Sequence, residues 1–419
     1  MVLSVTSTPN QDSRYPLLTA ILVALVVAAL NIGLWWWSNR PNGPEDWHGR
    51  INGFSLGLFR RYQSPAPPNP SFPSDAQIDS DLKLLSRYTG NVRTYTMAEN
   101  PQVYRLARGH GIKVMAGAWI DKRLDNNEQE INSLIAMARR YPDVITRVIV
   151  GNEVLYRGEL SVEQMMAYLD RVRAAVKQPV SIAEPDYVWL KYPELVRHVD
   201  FVTIHIFPFW NGVPRKNAID AALGAYQNIV RAYPYKKVIV GEIGWPSNGD
   251  RVMYADPSIS NEAIFLREWL NAAQARHIEY FLLEAFDEPW KGLVNSRTEA
   301  YWGMFNADRQ PKFPFTGPVT EDIGWPWKAL AASLLALAPM IWFARRFSRF
   351  KLMGRFFMAG LIQLACGLIV WSATLPFNFY LTWVDWTMLV LLFPAQIAIL
   401  AILLINGFEF TEVLWRKRW

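Results

Sequence analysis

The stretches VIVGNE (148–153) and VIVGE (238–242) each carry an apolar run straight into a glutamate. A short run of β-branched residues is typical of a strand buried on both faces, as in parallel sheets. In parallel α/β folds, the chemistry takes place at the carboxyl ends of the strands. Cleavage of a glycosidic bond needs two carboxylates, so Glu153 and Glu242 are the first candidate catalytic residues.

Six further strand-like runs accompany these two and alternate with amphipathic segments. The predicted strands cover 51–58, 91–95, 112–119, 145–152, 179–184, 200–206, 237–243 and 280–285. Apolar residues recur with helical spacing at 75–88, 127–141, 161–177, 217–233 and 261–276. Ser161 and Gln164 have the spacing of a capping box. Eight strands, each followed by a helix, predict an α/β fold of the (β/α)8 or TIM barrel type. In a closed barrel, Glu153 after strand four and Glu242 in strand seven face the same mouth.

Four long apolar segments lie on either side of the predicted barrel. The first, at 17–37, is long enough to cross about 30 Å of hydrocarbon. It lacks a small-residue cleavage site and ends in three tryptophans, which favours a membrane anchor over a signal peptide. The other three segments lie at 326–344, 354–374 and 386–406.

Basic residues cluster at one side of these segments. They are Arg345, Arg346, Arg349, Lys351 and Arg355 before the third segment, and Arg416, Lys417 and Arg418 after the last. The positive-inside rule makes both clusters cytoplasmic. We therefore predict a cytoplasmic N-terminus (1–16), a membrane helix (17–37), an outer catalytic domain (45–322), a three-helix membrane domain (326–406) and a basic cytoplasmic tail (407–419).

Charge and cysteine content exclude several classes of protein. The formal charge of +6 is largely explained by the basic flanks, so no nucleic-acid partner is predicted. The single cysteine, Cys366, lies in a predicted membrane helix and cannot form a disulfide framework. The sequence has no metal-ligand spacing and no glycine-rich phosphate loop, so neither a metal nor a cofactor is predicted.

Other predicted strand ends bring polar and aromatic side chains to the same rim. Tyr95, Trp119, His205 and Glu284 follow or end strands two, three, six and eight. Flat aromatic faces suit pyranose rings, and further rings are available at Tyr187, Trp210, Trp245 and Trp290.

Four of these positions have two readings. His205 either orients a catalytic carboxylate or is simply a buried histidine with its hydrogen bonds made. Glu284 either binds substrate or forms a salt bridge with Lys291. Trp245 and Trp290 are either sugar platforms or core aromatics.

The motifs of this chain resemble glycoside hydrolase family 17, whose members are retaining enzymes acting on β-1,3-glucan. The resemblance is carried by VRTYT (92–96), GAWID (117–121), VIVGNEVLYR (148–157), PVSIAEP (179–185), VDFVTIHIFPFW (199–210), VGEIGWPS (240–247), EAFDEPWK (284–291) and AYWGMF (300–305). It covers about residues 50–318 and is strongest to bacterial membrane-bound members, including the outer domain of cyclic β-glucan synthases.

The resemblance implies specific roles. Glu153 is the general acid/base, Glu242 is the nucleophile and Asn152 binds the sugar 2-hydroxyl. The implied substrate-binding residues are Tyr95, Trp119, Asn152, Glu184, His205, Trp210, Trp245, Glu284, Trp290 and Lys291. A retaining mechanism requires carboxyl groups about 5 to 5.5 Å apart. The pKa of Glu153 must then be raised, which we expect from burial and from the charge of Glu242. Asp186 and Asn211 depart from the family pattern, which puts linkage preference and acceptor choice in doubt.

The predicted function is a membrane-anchored β-1,3-glucanosyltransferase of the bacterial inner membrane, with its catalytic domain in the periplasm. Donor and acceptor are β-1,3-glucan chains, and a membrane glucan synthase is a candidate partner. A tethered endo-β-1,3-glucanase is the alternative, because hydrolysis shares the first half-reaction. A non-catalytic glucan-binding subunit of a synthase is a third reading.

Overall fold

The structure, a computed structural model, describes residues 16–416 and divides them into two compact units. Asn42–Val319 forms the barrel unit, and the described residues on either side of it form the helical unit. Most of the predicted N-terminal segment, together with Lys417 and Arg418, lies outside the described residues.

The barrel unit confirms the predicted (β/α)8 architecture. Eight parallel strands pair in sequence order, and β1 closes against β8. The strands are β1 Phe54–Ser55, β2 Asn91–Arg93, β3 Lys113–Ala118, β4 Ile145–Asn152, β5 Val180–Pro185, β6 Val202–Ile206, β7 Val238–Ile243 and β8 Tyr280–Leu282. The predicted β1, β2 and β8 are longer than the observed strands. Apolar residues indicate that a segment is buried, but they do not show whether its backbone pairs with a neighbouring strand.

Helices cover the outside of the barrel. They are α2 Asp75–Leu85, α3 Val103–Gly109, α4 Leu124–Arg140, α5 Val162–Ala175, α6 Asp186–Lys191, α7 Arg215–Ala232, α8 Ile259–Arg276 and α9 Lys291–Val294, with 3-10 turns at Pro193–His198 and Arg297–Ala300. The predicted capping box is present: Ser161 Oγ accepts from the Gln164 amide, and the Gln164 side chain accepts from the Ser161 amide. The amphipathic spacing of the longer helices thus buries one face of each, whereas α9 has no buried residue and borders the cavity described below.

Both ends of the barrel unit are tied to α8. Asn42 and Val319 exchange backbone hydrogen bonds of 2.8 and 2.7 Å. The buried guanidinium of Arg267 donates to the carbonyls of Pro44 and Gly317 and to other groups of the same segment. The Arg267 side chain therefore hydrogen-bonds carbonyl groups from both ends of the barrel unit.

Gly303 allows a close approach of two backbone segments beneath the mouth. A Cβ atom at this position would lie 2.0 Å from the Asp287 nitrogen and 2.2 Å from the Phe286 carbonyl carbon. We expect Gly303→Ala to lower the free energy of unfolding by about 3 kcal/mol, because backbone cannot move aside as a side-chain tip can. The matched control is Gly224→Ala in α7, where nothing lies within 4 Å of the added Cβ. This change should stabilise the helix by about 1 kcal/mol. Thermal melting of the full chain in detergent, followed by near-UV circular dichroism, measures both; equal melting temperatures would contradict the prediction.

The helical unit contains four helices that are long and apolar enough to cross a membrane. They are α1 Pro16–Ser38, α10 Trp325–Arg346, α11 Leu352–Asn378 and α12 Trp383–Trp415. Asn31 Nδ2 in α1 donates to Ser333 Oγ of α10 at 3.0 Å, so the end of α1 lies beside the start of α10 and the two helices are antiparallel.

The last helix is longer than the sequence predicts. α12 continues to Trp415, through most of the segment predicted as a tail after residue 406. Within this continuation, Gly407 lies against α11: a Cβ there would lie 2.2 Å from Leu361 Cδ1. Glu412 then pairs with Arg349 at 3.0 Å and with Arg416 at 2.9 Å, which places these basic residues at one end of the bundle.

Candidate active site

The structure brings Glu153 and Glu242 together at the carboxyl end of the barrel. Glu242 lies in β7, and Glu153 follows β4 in a left-handed turn with φ of 55°. The Glu153 amide donates to the Ala183 carbonyl of β5 at 2.8 Å. One carboxylate oxygen of each glutamate lies within 4.8 Å of the other. This separation belongs to the short class used by retaining enzymes, since inverting pairs are about 6.5 to 9.5 Å apart.

His205 in β6 connects the two carboxylates. Its Nδ1 lies 2.7 Å from Glu153 Oε1, and its Nε2 lies 3.4 Å from Glu242 Oε1. Burial lowers the pKa of His205 to about 3, so the ring is neutral. Because Arg93 can only donate to Nε2, at 3.1 Å, the hydrogen bonds favour the tautomer in which Nδ1–H donates to Glu153. Of the two readings of His205, the structure supports an orienting residue; it does not line the cavity.

Arg93 is the functional residue that the sequence analysis missed. Its Nη1 lies 2.8 Å from Glu242 Oε1 and 2.8 Å from the Gly241 carbonyl, and its Nη2 lies 2.5 Å from Asn152 Oδ1. Its side chain is 1% exposed, so the ion pair is shielded from water. One signal could have identified it: an arginine at the end of β2, inside the VRTYT motif. A charge buried in a barrel interior is costly unless it is paired, so this arginine required an acidic partner.

Asn152 and Tyr95 border the same pair. Because the Asn152 amide oxygen accepts from Arg93, its amide N–H group is the one that can donate to a sugar hydroxyl in the cavity. Tyr95 lies with its ring 5.0 Å from the Arg93 guanidinium, and its buried hydroxyl has no partner among the described residues. Burial, followed by the charge of Glu242, raises the pKa of Tyr95 well above its usual value.

Burial also raises the pKa of Glu153, against the opposing charges of Arg157 and Arg93. The sequence analysis expected the charge of Glu242 to contribute. The charge of Glu242 is not among the causes of the raised pKa of Glu153, so burial is the cause that the structure supports. A raised pKa suits a general acid, because the carboxyl must still carry its proton when the glycosidic oxygen leaves.

This pKa predicts the alkaline limb of the pH profile. We expect kcat/KM to fall as pH rises through the raised pKa of Glu153, because the ionised carboxylate has no proton to donate. The folded state binds the proton more tightly than the unfolded chain, so its contribution to stability is complete below the ordinary glutamate pKa and is lost as pH rises through the folded value. Arg157→Met removes the largest opposing charge and should move the limb to higher pH, whereas Arg157→Lys should leave it in place. A limb at the same pH in all three proteins would refute the assignment.

A cavity of about 980 Å³ adjoins the carboxylate pair. It is lined by Asn152 of β4, by Glu242 of β7 and by segments that follow β1, β2, β3, β4 and β8. Three tryptophans stand at its walls: Trp119, Trp290 and Trp302. The Arg157 guanidinium lies 4.6 Å from the Trp119 ring, so this ring has one face left for a sugar. Trp302, in the AYWGMF motif, was not singled out from the sequence, because the pattern around it does not separate a cavity wall from the core.

Glu284 forms the predicted salt bridge with Lys291, and it also lies at the cavity where substrate binding was predicted. Lys291 Nζ lies 2.7 Å from Glu284 Oε2 and 2.9 Å from Glu288 Oε2. All three residues line the cavity. Burial opposes the charge on Lys291, but the carboxylates of Glu284 and Glu288 outweigh it and raise the pKa of the amine. Glu284 is therefore a salt-bridged residue within reach of substrate.

Four predicted substrate-binding residues do not line the cavity: His205, described above, and Trp245, Glu184 and Trp210. Trp245 has no exposed surface; its Nε1 donates to the Asp256 carbonyl, and its ring packs against core aromatics, so the prediction of a sugar platform is wrong. Glu184 is also fully buried and accepts the backbone N–H groups of Leu155 and Tyr156, at 2.8 and 3.2 Å. Trp210 is half-buried behind Trp302, with ring centroids 5.6 Å apart. Strand-end position alone does not tell which of these side chains turns toward the mouth.

Glu153, His205 and Glu242 also have the spacing of a metal site. The Arg93 guanidinium already contacts both Glu242 Oε1 and His205 Nε2. A second cation between these atoms would face that positive charge at close range, so the cluster fits an ion-paired catalytic dyad better than a metal centre.

Comparisons with known proteins agree with this chemistry. A glucan 1,3-beta-glucosidase of Arthroderma benhamiae is 29% identical over 283 residues, which are 62% of this chain and 89% of that protein. A probable glucan endo-1,3-beta-glucosidase btgC of Aspergillus flavus is 29% identical, and the match spans 57% of this chain but only 40% of that protein. The crystal structure of a glycoside hydrolase family 17 beta-1,3-glucanosyltransferase from Rhizomucor miehei has a TM-score of 0.57 and 29% identity, covering 64% of this chain and 97% of that one.

These relatives are fungal, so they give no support to the bacterial inner membrane and periplasmic orientation that the sequence analysis predicts. The sequence model described as BtgE/BtgC glycoside hydrolase domain matches residues 61–303, more than half of the chain. Both glutamates and the histidine between them lie inside this range. The chain is therefore a glycosidase or transglycosylase that belongs to the BtgE/BtgC glycoside hydrolase domain family.

Proposed function

We propose that the chain is a membrane-anchored retaining β-1,3-glucan transglycosylase that works through a covalent glycosyl-enzyme. The observation that supports this most is the short distance between the Glu153 and Glu242 carboxylates, which leaves no room for the water of an inverting mechanism.

In the first half-reaction, Glu242 attacks the anomeric carbon of the donor. Arg93 holds the attacking carboxylate by donating to Glu242 Oε1, and Glu153 passes its proton to the leaving glycosidic oxygen. The left-handed turn at Glu153 and its hydrogen bond from His205 Nδ1 fix the position of the acid. Asn152 donates to the sugar 2-hydroxyl, a bond that strengthens as the ring approaches an oxocarbenium ion.

In the second half-reaction, the ionised Glu153 takes the proton of an acceptor hydroxyl. The acceptor oxygen bonds to the anomeric carbon, and the ester bond to Glu242 breaks with its electron pair returning to the carboxylate. With a sugar as acceptor the product is a lengthened or branched glucan, and with water it is a shortened one.

The proposed donor and acceptor are β-1,3-linked glucan chains. An active-site mutant of the Rhizomucor miehei beta-1,3-glucanosyltransferase is known in complex with laminaritriose, which supports this choice. The cavity walls also fit a neutral sugar chain, since they combine aromatic rings with carboxylate, amide and hydroxyl groups.

Endo-β-1,3-glucan hydrolysis is the second candidate. It is favoured by the name of the btgC relatives, which are probable glucan endo-1,3-beta-glucosidases. Transfer and hydrolysis use the same dyad, so the catalytic residues do not separate them.

Sizing of products separates the two functions. The full chain in detergent is incubated with laminaripentaose, and products are resolved by chromatography and mass. Transfer predicts chains longer than the donor from the earliest times, at a yield that rises with donor concentration. Shorter chains alone, at every donor concentration, would defeat the transfer proposal in favour of hydrolysis.

The membrane setting is part of the proposal. The four long helices would span the bilayer, and the positive-inside rule would make the basic cluster cytoplasmic. One crossing, α10, separates residues 42–319 from that cluster along the chain, so the proposal puts the catalytic residues across the membrane from it. A tethered enzyme would meet nascent glucan at high local concentration, which favours a membrane glucan synthase as partner. Protease protection of residues 42–319 in sealed vesicles tests the orientation, and co-purification of β-glucan synthase activity tests the partner.

A further inference from the structure

Two exposed tyrosines lie beside the acid/base, outside the cavity. Tyr156 follows Glu153 by three residues, and Tyr187 lies in α6, directly after β5. Their side chains are 56% and 51% exposed, and the ring centroids lie 6.2 Å apart at an interplanar angle of 81°. Large aromatic rings that stay exposed in a sugar-processing site are available to a ligand.

The backbone holds this pair close to Glu153. The amides of Leu155 and Tyr156 both donate to the buried carboxylate of Glu184 in β5, and the Glu153 amide donates to Ala183 of the same strand. β5 therefore holds the turn that carries Glu153 and Tyr156 through these hydrogen bonds, and it leads directly into α6, which carries Tyr187. The charges of Tyr156 and Glu153 contribute, after burial, to the raised pKa of Tyr187, as expected for neighbouring groups.

The cavity leaves this side of the dyad open. Its lining comes from Asn152 in β4, Glu242 in β7 and the segments that follow β1 to β4 and β8. None of the described lining residues lies in the loops after β5, β6 or β7. Glu153 stands at the border. An acid that protonates the leaving oxygen must have the leaving group, and later the acceptor, on its own side of the bond. Tyr156 is three residues from Glu153, and Tyr187 is close enough for the charge of Glu153 to contribute to its raised pKa.

We propose that Tyr156 and Tyr187 form the acceptor subsite, where the pyranose ring of an incoming neutral β-glucan chain packs against the two aromatic faces. This inference rests on the proposed transglycosylase function. The bound acceptor presents a hydroxyl to Glu153, which takes the proton while the oxygen bonds to the anomeric carbon and Glu242 leaves. By occupying this position, the acceptor competes with water, so the pair controls the division between transfer and hydrolysis.

The test separates formation of the glycosyl-enzyme from its fate. β-Laminaribiosyl fluoride serves as donor for the full chain in detergent, because fluoride release needs no sugar on the acceptor side. Labelled laminaritriose serves as acceptor. Tyr156→Ala and Tyr187→Ala should leave fluoride release without acceptor unchanged and raise the KM for laminaritriose by about threefold to tenfold each. The transfer-to-hydrolysis ratio should fall by the same factor.

Two further variants make the result specific. Tyr156→Phe and Tyr187→Phe retain the rings and should retain most of the transfer. Tyr235→Ala removes a tyrosine that is 74% exposed and lies before β7, at the other end of the strands, and should behave as the unchanged chain does. An acceptor KM that stays at its original value in both alanine variants would overturn the proposal.

The same experiments distinguish failure of the transglycosylase function from failure of the acceptor subsite. If the unchanged chain yields no transfer product at all, the transglycosylase proposal is wrong. The same residues then bind the leaving portion of a hydrolysed chain. In that case the alanine variants should raise KM for laminaritetraose hydrolysis and leave fluoride hydrolysis unchanged; no effect on either substrate would reject a sugar-binding role.

Discussion

Glu242→Gln is expected to lower kcat on laminari-oligosaccharides by about 10⁴-fold, because no covalent intermediate can form without the attacking carboxylate. The amide oxygen can still accept from Arg93, which lies 2.8 Å from the native carboxylate. Loss of the buried ion pair should nevertheless cost about 3 kcal/mol of stability, so melting temperature is measured alongside the rate.

The control for this change is Glu194→Gln, an exposed glutamate in the 3-10 turn before β6, at the opposite end of the barrel. It removes the same charge and should retain the original rate. Glu242→Ala with azide and an activated β-laminaribioside should yield the α-glycosyl azide, because azide attacks from the side that the carboxylate vacates. A folded Glu242→Gln protein with near-normal turnover would rule out Glu242 as nucleophile.

Glu153→Gln is expected to have the second largest effect, and an effect that depends on the leaving group. Turnover of laminari-oligosaccharides should fall by about 10³-fold, since a sugar alkoxide leaves poorly without protonation. β-Laminaribiosyl fluoride needs no acid, so the variant should release a rapid burst of fluoride and then stall, because no base is left to activate the acceptor.

Azide distinguishes the two glutamates. With Glu153→Ala, azide enters on the acceptor side and should give the β-glycosyl azide, the configuration opposite to that from Glu242→Ala. The outcome that would reverse the roles is an α product from Glu153→Ala together with a β product from Glu242→Ala. Equal losses on the fluoride and on oligosaccharides would mean that Glu153 does not act as an acid.

The meeting of the two carboxylates was predictable because each glutamate lies at the end of a strand that local composition already marks. VIVGNE and VIVGE are apolar and β-branched up to the carboxylate, and the parallel fold sends both ends to one mouth. The nearest neighbours of the pair were not predictable in the same way. Arg93, on β2, reaches Glu242 and Asn152 across the inside of the barrel, a contact that depends on strand stagger rather than on sequence spacing.

The aromatic residues show the same division. Trp245 follows β7 and Trp302 lies in the AYWGMF motif after the last 3-10 turn; Trp245 is in the core, whereas Trp302 borders the cavity. Both are almost fully buried, so hydrophobicity does not separate them. Their different surroundings follow from the packing of the loops after β6, β7 and β8, where Phe209 contacts both rings.

By itself, the sequence determined the order of strands and helices, the two carboxylates and the apolar helices, because these depend on residue patterns within a few turns or one strand. Only the tertiary structure decided that His205 joins the two carboxylates, that Arg93 pairs with one of them, and that Tyr156 and Tyr187 stand open beside the acid. Those arrangements bring together atoms from different strands, and their distances are set by barrel closure and register, which no local pattern encodes.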